Sequence, residues 1–166
     1  MSWLYLVSCW LHVMAAVAWL GAAVFIVVAV VPAMRRIEER AQAASLMRAM
    51  TQPLRWLGAG ALLLFFVTGS YNLQVRFGQA LADSDFWNSR VGLAVAAKLA
   101  LFGLIVAVAA LHDLWLGPKA SAAAAEDPNA DATRRLRQQA RFCGRLNLIL
   151  GLLMVALGVL IVRPGW

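Results

Sequence analysis

The chain alternates between long apolar runs and short polar intervals. Four runs, at about residues 3–31, 54–73, 91–116 and 142–162, are dominated by Leu, Val, Ala, Ile, Phe and Trp. Each reaches or exceeds the ~20 residues that carry a helix across a hydrocarbon core of ~30 Å. Lipid offers no partner for backbone N–H and C=O groups, so a spanning run must satisfy them within itself, which predicts helices. Pro32 closes the first run, Gly117-Pro118 the third and Pro164-Gly165 the fourth. The pattern predicts an all-α, polytopic transmembrane four-helix bundle, one membrane domain over residues 1–166. The first run has no basic residues before it and is too long for a signal h-region, so it reads as a retained span.

The intervals differ in character. Residues 34–53 are rich in Arg, Glu, Ala and Met and predict a short amphipathic helix on the membrane surface. Residues 76–90 are polar, with Asp83 and Asp85. Residues 119–133 are Ala-rich, with Glu126, Asp127 and Pro128, and read as a mobile loop.

Composition strengthens the membrane reading: of 166 residues 63% are hydrophobic and 14% charged, too little charge to cover a soluble surface. The net charge of +7 does not indicate nucleic acid, because the Arg residues lie between the apolar runs rather than along one soluble face. They read as topology signals and as contacts to anionic lipid headgroups. Cys9 and Cys143 form no CxxC pair, so neither a disulfide framework nor a zinc site is suggested, and the lack of a CxxCH motif excludes covalent c-type haem.

The basic residues also give an orientation. The first interval and the start of the second run hold Arg35, Arg36, Arg40, Arg48 and Arg55. The third interval and the start of the fourth run hold Lys119, Arg134, Arg135, Arg137, Arg141 and Arg145. The middle interval has only Arg76 and Arg90, and the C-terminus Arg163. The positive-inside rule then places the first and third intervals in the cytoplasm and both termini outward, in a bacterial-type inner membrane. Trp3, Trp87 and Trp166 would mark the outer interface, Trp56 and Trp115 the inner one. A reporter fused after Trp166 is expected to read as periplasmic; a cytoplasmic signal would reverse the orientation.

Spacing places several residues on the bundle side of their helices. Gly144, Asn147, Gly151, Met154 and Gly158 recur at three and four, the period of one packed seam. Small residues there admit a close neighbour. Cys9 and His12 share a face, with Trp19 a heptad on, and Lys98 shares one with His112. Counted from the helix ends, His12, Lys98 and Met154 fall near one level, with Cys9 and Tyr71 slightly outward. A second level, toward the cytoplasm, holds Arg55, His112, Asp113 and Cys143.

Ionisable groups inside a span are costly and usually functional. Plainer roles exist for each: Lys98 can snorkel, Arg55 can anchor at the interface, Asp113 can pair with an Arg, and both cysteines can be packing residues. His and Met are the usual axial ligands of haem iron, so His12 and Met154 fit a b-type haem between helices, with Lys98 or Arg55 on a propionate. The same Cys9, His12 and Met154 are soft or borderline donors that suit copper. No carboxylate pair, phosphate loop or Ser-His-Asp arrangement is evident, which disfavours hydrolysis and phosphoryl transfer.

Leu11-His12, Ala18-Trp19-Leu20-Gly21 and Pro32 resemble the first helix of copper-resistance protein D (CopD-like) proteins. Thr68-Gly69, Lys98-Leu99, Leu111-His112-Asp113, Gly117-Pro118, Gly144-Arg145-Leu146-Asn147 and Val162-Arg163 are similar too. The chain also resembles the related HemJ-type protoporphyrinogen oxidases, haem b proteins whose first-helix His, second-helix Arg and third-helix Lys would fall on His12, Arg55 and Lys98. It departs from them at Val30-Val31-Pro32-Ala33-Met34, where an aromatic, Tyr- and His-bearing segment is expected. The resemblance implies a haem- or copper-binding protein of copper handling or membrane redox chemistry. An oxidase with a quinone acceptor and a structural subunit of a larger complex are the alternatives. The bilayer is the first partner; a quinone or other redox partner and a second copy of the chain are further ones.

Overall fold

The computed structural model describes residues 2–127 and 130–162. Pro128, Arg163, Pro164, Gly165 and Trp166, to which the sequence reading gave a loop, a stop signal and an interface anchor, lie outside the described residues. The described chain is helical without strands and holds four helices long and apolar enough to cross a membrane.

The first span is α1 (Trp3–Phe25), a π-helical stretch (Ile26–Val30) and α2 (Val31–Arg35). Ser2 starts it by accepting a hydrogen bond from the Tyr5 amide. Pro32 was expected to end this span, yet the helix continues past it to Arg35. Within an α-helix Pro32 would collide with the carbonyl four residues earlier. The preceding turn instead bonds at the wider π spacing, which absorbs the proline.

The second span is α3 (Arg40–Phe77). The predicted surface helix before it is absent as a separate element: residues from Arg40 onward run into the span without a break. Good helix formers and no glycine through residues 40–52 favour this, and Pro53 lies inside the helix without ending it. Its 38 residues would extend ~57 Å, well beyond a hydrocarbon core. Gly78 ends it with φ 46°, a conformation glycine adopts without strain. A 3-10 turn (Gly78–Ala82) and α4 (Ser84–Asn88) lead back. In this turn Phe77 lies tilted against Phe86, Phe86 meets Trp87 edge to face, and the Trp87 indole donates to the Leu81 carbonyl.

The third span is α5 (Arg90–Ala110), capped by Ser89, then a second π stretch (Leu111–Leu116) and α6 (Gly117–Glu126). Pro118 stops this span no more than Pro32 stops the first. The segment expected to be a mobile loop is helical through Glu126, because alanine is the best helix former and Ala120 and Ala124 are buried. The fourth span is α7 (Asp131–Val162). Near its start Thr133 donates to the Ala123 and Asp127 carbonyls that end α6.

Spans one and three follow the same plan. Each has a serine cap, an ionisable residue, a π stretch, a proline and a short exit helix. Lys98 follows His12 by 86 residues, the interval that also separates Pro118 from Pro32. Each packs chiefly on the span after it, α1 on α3 and α5 on α7, so the molecule is two like helical hairpins. The first and fourth spans join them, where Trp19 lies against Gly151. At the Arg-rich end, Arg48 donates to the Ser121 carbonyl (3.1 Å) and Arg55 to that of Asp113 (2.5 Å), tying the second span to the third. The interior is made of small residues such as Ala15, Ala61, Ala94 and Ala109, while Leu63, Phe66, Leu93 and Val159 point outward. That distribution suits a lipid surround.

Candidate functional site

The polar interior groups cluster at two ends of the bundle. In the half away from the Arg-rich end, His12 lies across from Thr68 and Gly69. Its Nδ1 is 2.8 Å from the Thr68 hydroxyl, and Phe65 meets its ring edge-on at 5.0 Å between centroids. A side chain at Gly69 would begin 3.4 Å from the imidazole Cε1, so glycine keeps that approach open. Phe65, Thr68, Gly69 and Asn72 recur at three and four and therefore share the face of α3 turned to α1.

The hydrogen bonds settle how the His12 ring is held. The Thr68 hydroxyl donates to the Leu64 carbonyl at 2.5 Å, and a carbonyl can only accept. That uses the one hydroxyl hydrogen. Toward His12 the hydroxyl oxygen must therefore accept, and Nδ1 must carry the hydrogen. In the neutral ring this leaves the Nε2 lone pair uncommitted. Such an arrangement, one ring nitrogen donating and the other bare, is how ligating histidines are oriented. Thr68 is that orienting partner for His12. Thr68 itself is nearly fully buried, at 4% exposure.

Lys98 lies close enough for its charge to act on His12. It is half-buried and makes no ion pair among the described residues. Its Nζ would be 3.4 Å from a side chain at Gly158. The fourth span thus presents Gly158 to Lys98, whereas the sequence reading put Met154 there. Met154 is one turn deeper, ~6 Å along the helix, so a count from helix ends displaced it by a turn. Cys9 is a turn outward of His12 and meets the Tyr5 hydroxyl on the same helix. One turn beyond Thr68, the Asn72 Oδ1 is buried with no hydrogen-bond partner among the described residues.

The second group is at the Arg-rich end, within the π stretch of span three. His112 Nδ1 is 2.7 Å from its neighbour Asp113, and Arg55 binds the Asp113 backbone carbonyl. Cys143 is buried nearby on α7, and Asn147 Oδ1, one turn inward, is buried and unpartnered. His112 follows Lys98 by fourteen residues, ~21 Å of helix. The structure thus brings His12 and Lys98 together at one level and Arg55 with His112 at another.

Thr68 and Asn72 are the site residues that sequence reasoning left without a role. The available signal was their register with Phe65 and Gly69 on one face of the second span. Among the described residues no three His, Cys, Asp or Glu side chains converge to hold a metal ion.

The family model described as "Copper resistance protein D" matches residues 48–161. An uncharacterized protein of Aquifex aeolicus (strain VF5) is 32% identical over 157 residues, covering 94% of this chain and 93% of that protein. No solved structure matches.

Proposed function

The chain belongs to the copper resistance protein D family, and from that premise we propose a membrane protein of copper handling that works through a bound haem b. The observation that carries the proposal is the His12 ring, its Nδ1 hydrogen held by Thr68 and its Nε2 lone pair left for iron.

Two candidate groups can be weighed against the residues. A resident copper ion fits poorly. It would have one imidazole at this level, with Cys9 turned to Tyr5, Met154 a turn away and the Lys98 ammonium repelling it. Haem b fits better. It needs only one or two axial ligands and carries two propionates, which the half-buried Lys98 ammonium would attract. Gly69 and Gly158 let His12 and Lys98 approach the neighbouring helices closely. The Asn72 Oδ1, unpartnered among the described residues, is a further polar group at this end. Bound there, haem iron supplies one-electron transfer. His12 would ligate it, Thr68 would fix the imidazole plane, and Lys98 would pair with a propionate. Copper is then the substrate or cargo of the protein rather than its fixed cofactor.

The test is the visible spectrum and metal content of the full chain purified in detergent. A Soret band that shifts on reduction, with about one iron per chain, is the expected result. Stoichiometric copper with no Soret band would select a copper site. Neither metal would select the structural-subunit reading.

A further inference from the structure

A groove lies at the Arg-rich end, away from His12. There Leu111, Trp115 and Leu116 of the second π stretch and Phe142 and Cys143 of α7 wall an open groove of about 600 Å³. Its floor is apolar and its rim is not. Gln138 and Gln139 line it with amide groups. The Lys119 Nζ sits 3.9 Å over the ring of Trp115, which puts a positive charge at the groove's mouth. Arg135, Gln138, Gln139 and Phe142 recur at three and four, so Arg135 extends the same stripe of α7 by one turn. Neither Lys119 nor Arg135 has a carboxylate partner among the described residues, and the nearby Asp131 is paired with Arg134.

We propose that this groove holds one molecule of an anionic phospholipid, its acyl chain along Leu111, Trp115 and Phe142 and its phosphate between Lys119 and Arg135. The chemistry of the two parts points to the same occupant. Exposed aromatic and aliphatic walls suit a hydrocarbon chain entering from the bilayer. Cations with amide donors suit phosphate and ester oxygens at the depth of the headgroups. A neutral isoprenoid ligand would use the walls and leave the charges idle.

The full chain, reconstituted in nanodiscs of equal phosphatidylglycerol and phosphatidylcholine, is extracted gently and its retained lipid counted by native mass spectrometry. One phosphatidylglycerol is expected to stay bound. Lys119→Ala with Arg135→Ala should weaken its retention by about thirtyfold, the worth of two basic side chains near a membrane surface. Arg35→Ala with Arg36→Ala removes the same charge from the same end and should change it little. Leu111→Trp, which fills the groove from an exposed position, should weaken retention of both lipids. Lys119→Arg with Arg135→Lys should keep the selectivity and so separates lost binding from lost folding. If the Arg35 and Arg36 pair costs as much as the groove pair, the effect is general surface charge and the site is refuted. Unchanged retention in Leu111→Trp, or retention indifferent to headgroup charge, refutes it as well.

Discussion

Gly151→Leu is expected to destabilise the protein by about 1–3 kcal/mol or more, the usual cost of overpacking a close contact. A Cβ at Gly151 would lie 2.6 Å from Trp19 Cζ3 and 2.8 Å from Leu20 Cδ2, before any further carbon is added. On its other side Trp19 lies toward Gly58 of the second span, where an added Cβ would be 3.9 Å from the indole, and Phe65 stands edge-on to it at 6.4 Å. The ring is a wedge between glycines of two spans, and it joins the two hairpins. Leu152→Phe, on an adjacent position that is 55% exposed, should stay within about 0.5 kcal/mol. Thermal unfolding in detergent, read alongside expression level, compares the two. Equal tolerance would mean that the seam faces lipid and that the hairpins are joined elsewhere.

The fold was legible because lipid makes the rules strict. Length and apolarity are enough to find four spans, and the seven-residue recurrence of Gly144, Gly151 and Gly158 marks the seam that Trp19 enters. Helix ends were harder. Pro32 and Pro118 are stop signals by their α-helical clash, but a π turn removes the clash, and nothing in Ile26–Val30 or Leu111–Leu116 announces π bonding. The Ala-rich segment after Pro118 reads as a loop from its Glu126, Asp127 and Pro128, whereas helix propensity and the burial of Ala120 and Ala124 decide it. The candidate site was legible in its ionisable members only. His12 and Lys98 stand out in apolar helices, whereas Thr68 is unremarkable until its hydroxyl is seen bridging Leu64 and His12. The likeness of the two hairpins was hidden for a related reason. His12 and Lys98 occupy matching places with unlike side chains, so the repeat lies in position rather than in residue type.

His12→Ala is expected to abolish the haem spectrum, while His112→Ala leaves most of it. The two histidines differ in setting as much as in depth. His112 has its Nδ1 engaged by Asp113, the residue next to it, on a helix turn that also receives Arg55, and its side chain is 35% exposed. That is a pair at the basic end, with His112 ~21 Å along the third span from Lys98, too far for one haem to take both histidines as axial ligands. His12 has a buried partner, a bare nitrogen and a cation at its own level. Thr68→Val provides the finer comparison. It keeps the shape of the side chain and removes the hydroxyl, leaving the Nδ1 hydrogen without its acceptor, a loss of about 1–3 kcal/mol for a buried group. If the hydroxyl orients a ligand, Thr68→Val should lower haem occupancy or shift its reduction potential, and Thr68→Ser should restore both. If His112→Ala empties the site and His12→Ala does not, the ligand lies at the Arg-rich end and the role given to His12 is wrong. If Thr68→Val changes thermal stability alone, His12 is bound to Thr68 for packing and not for chemistry.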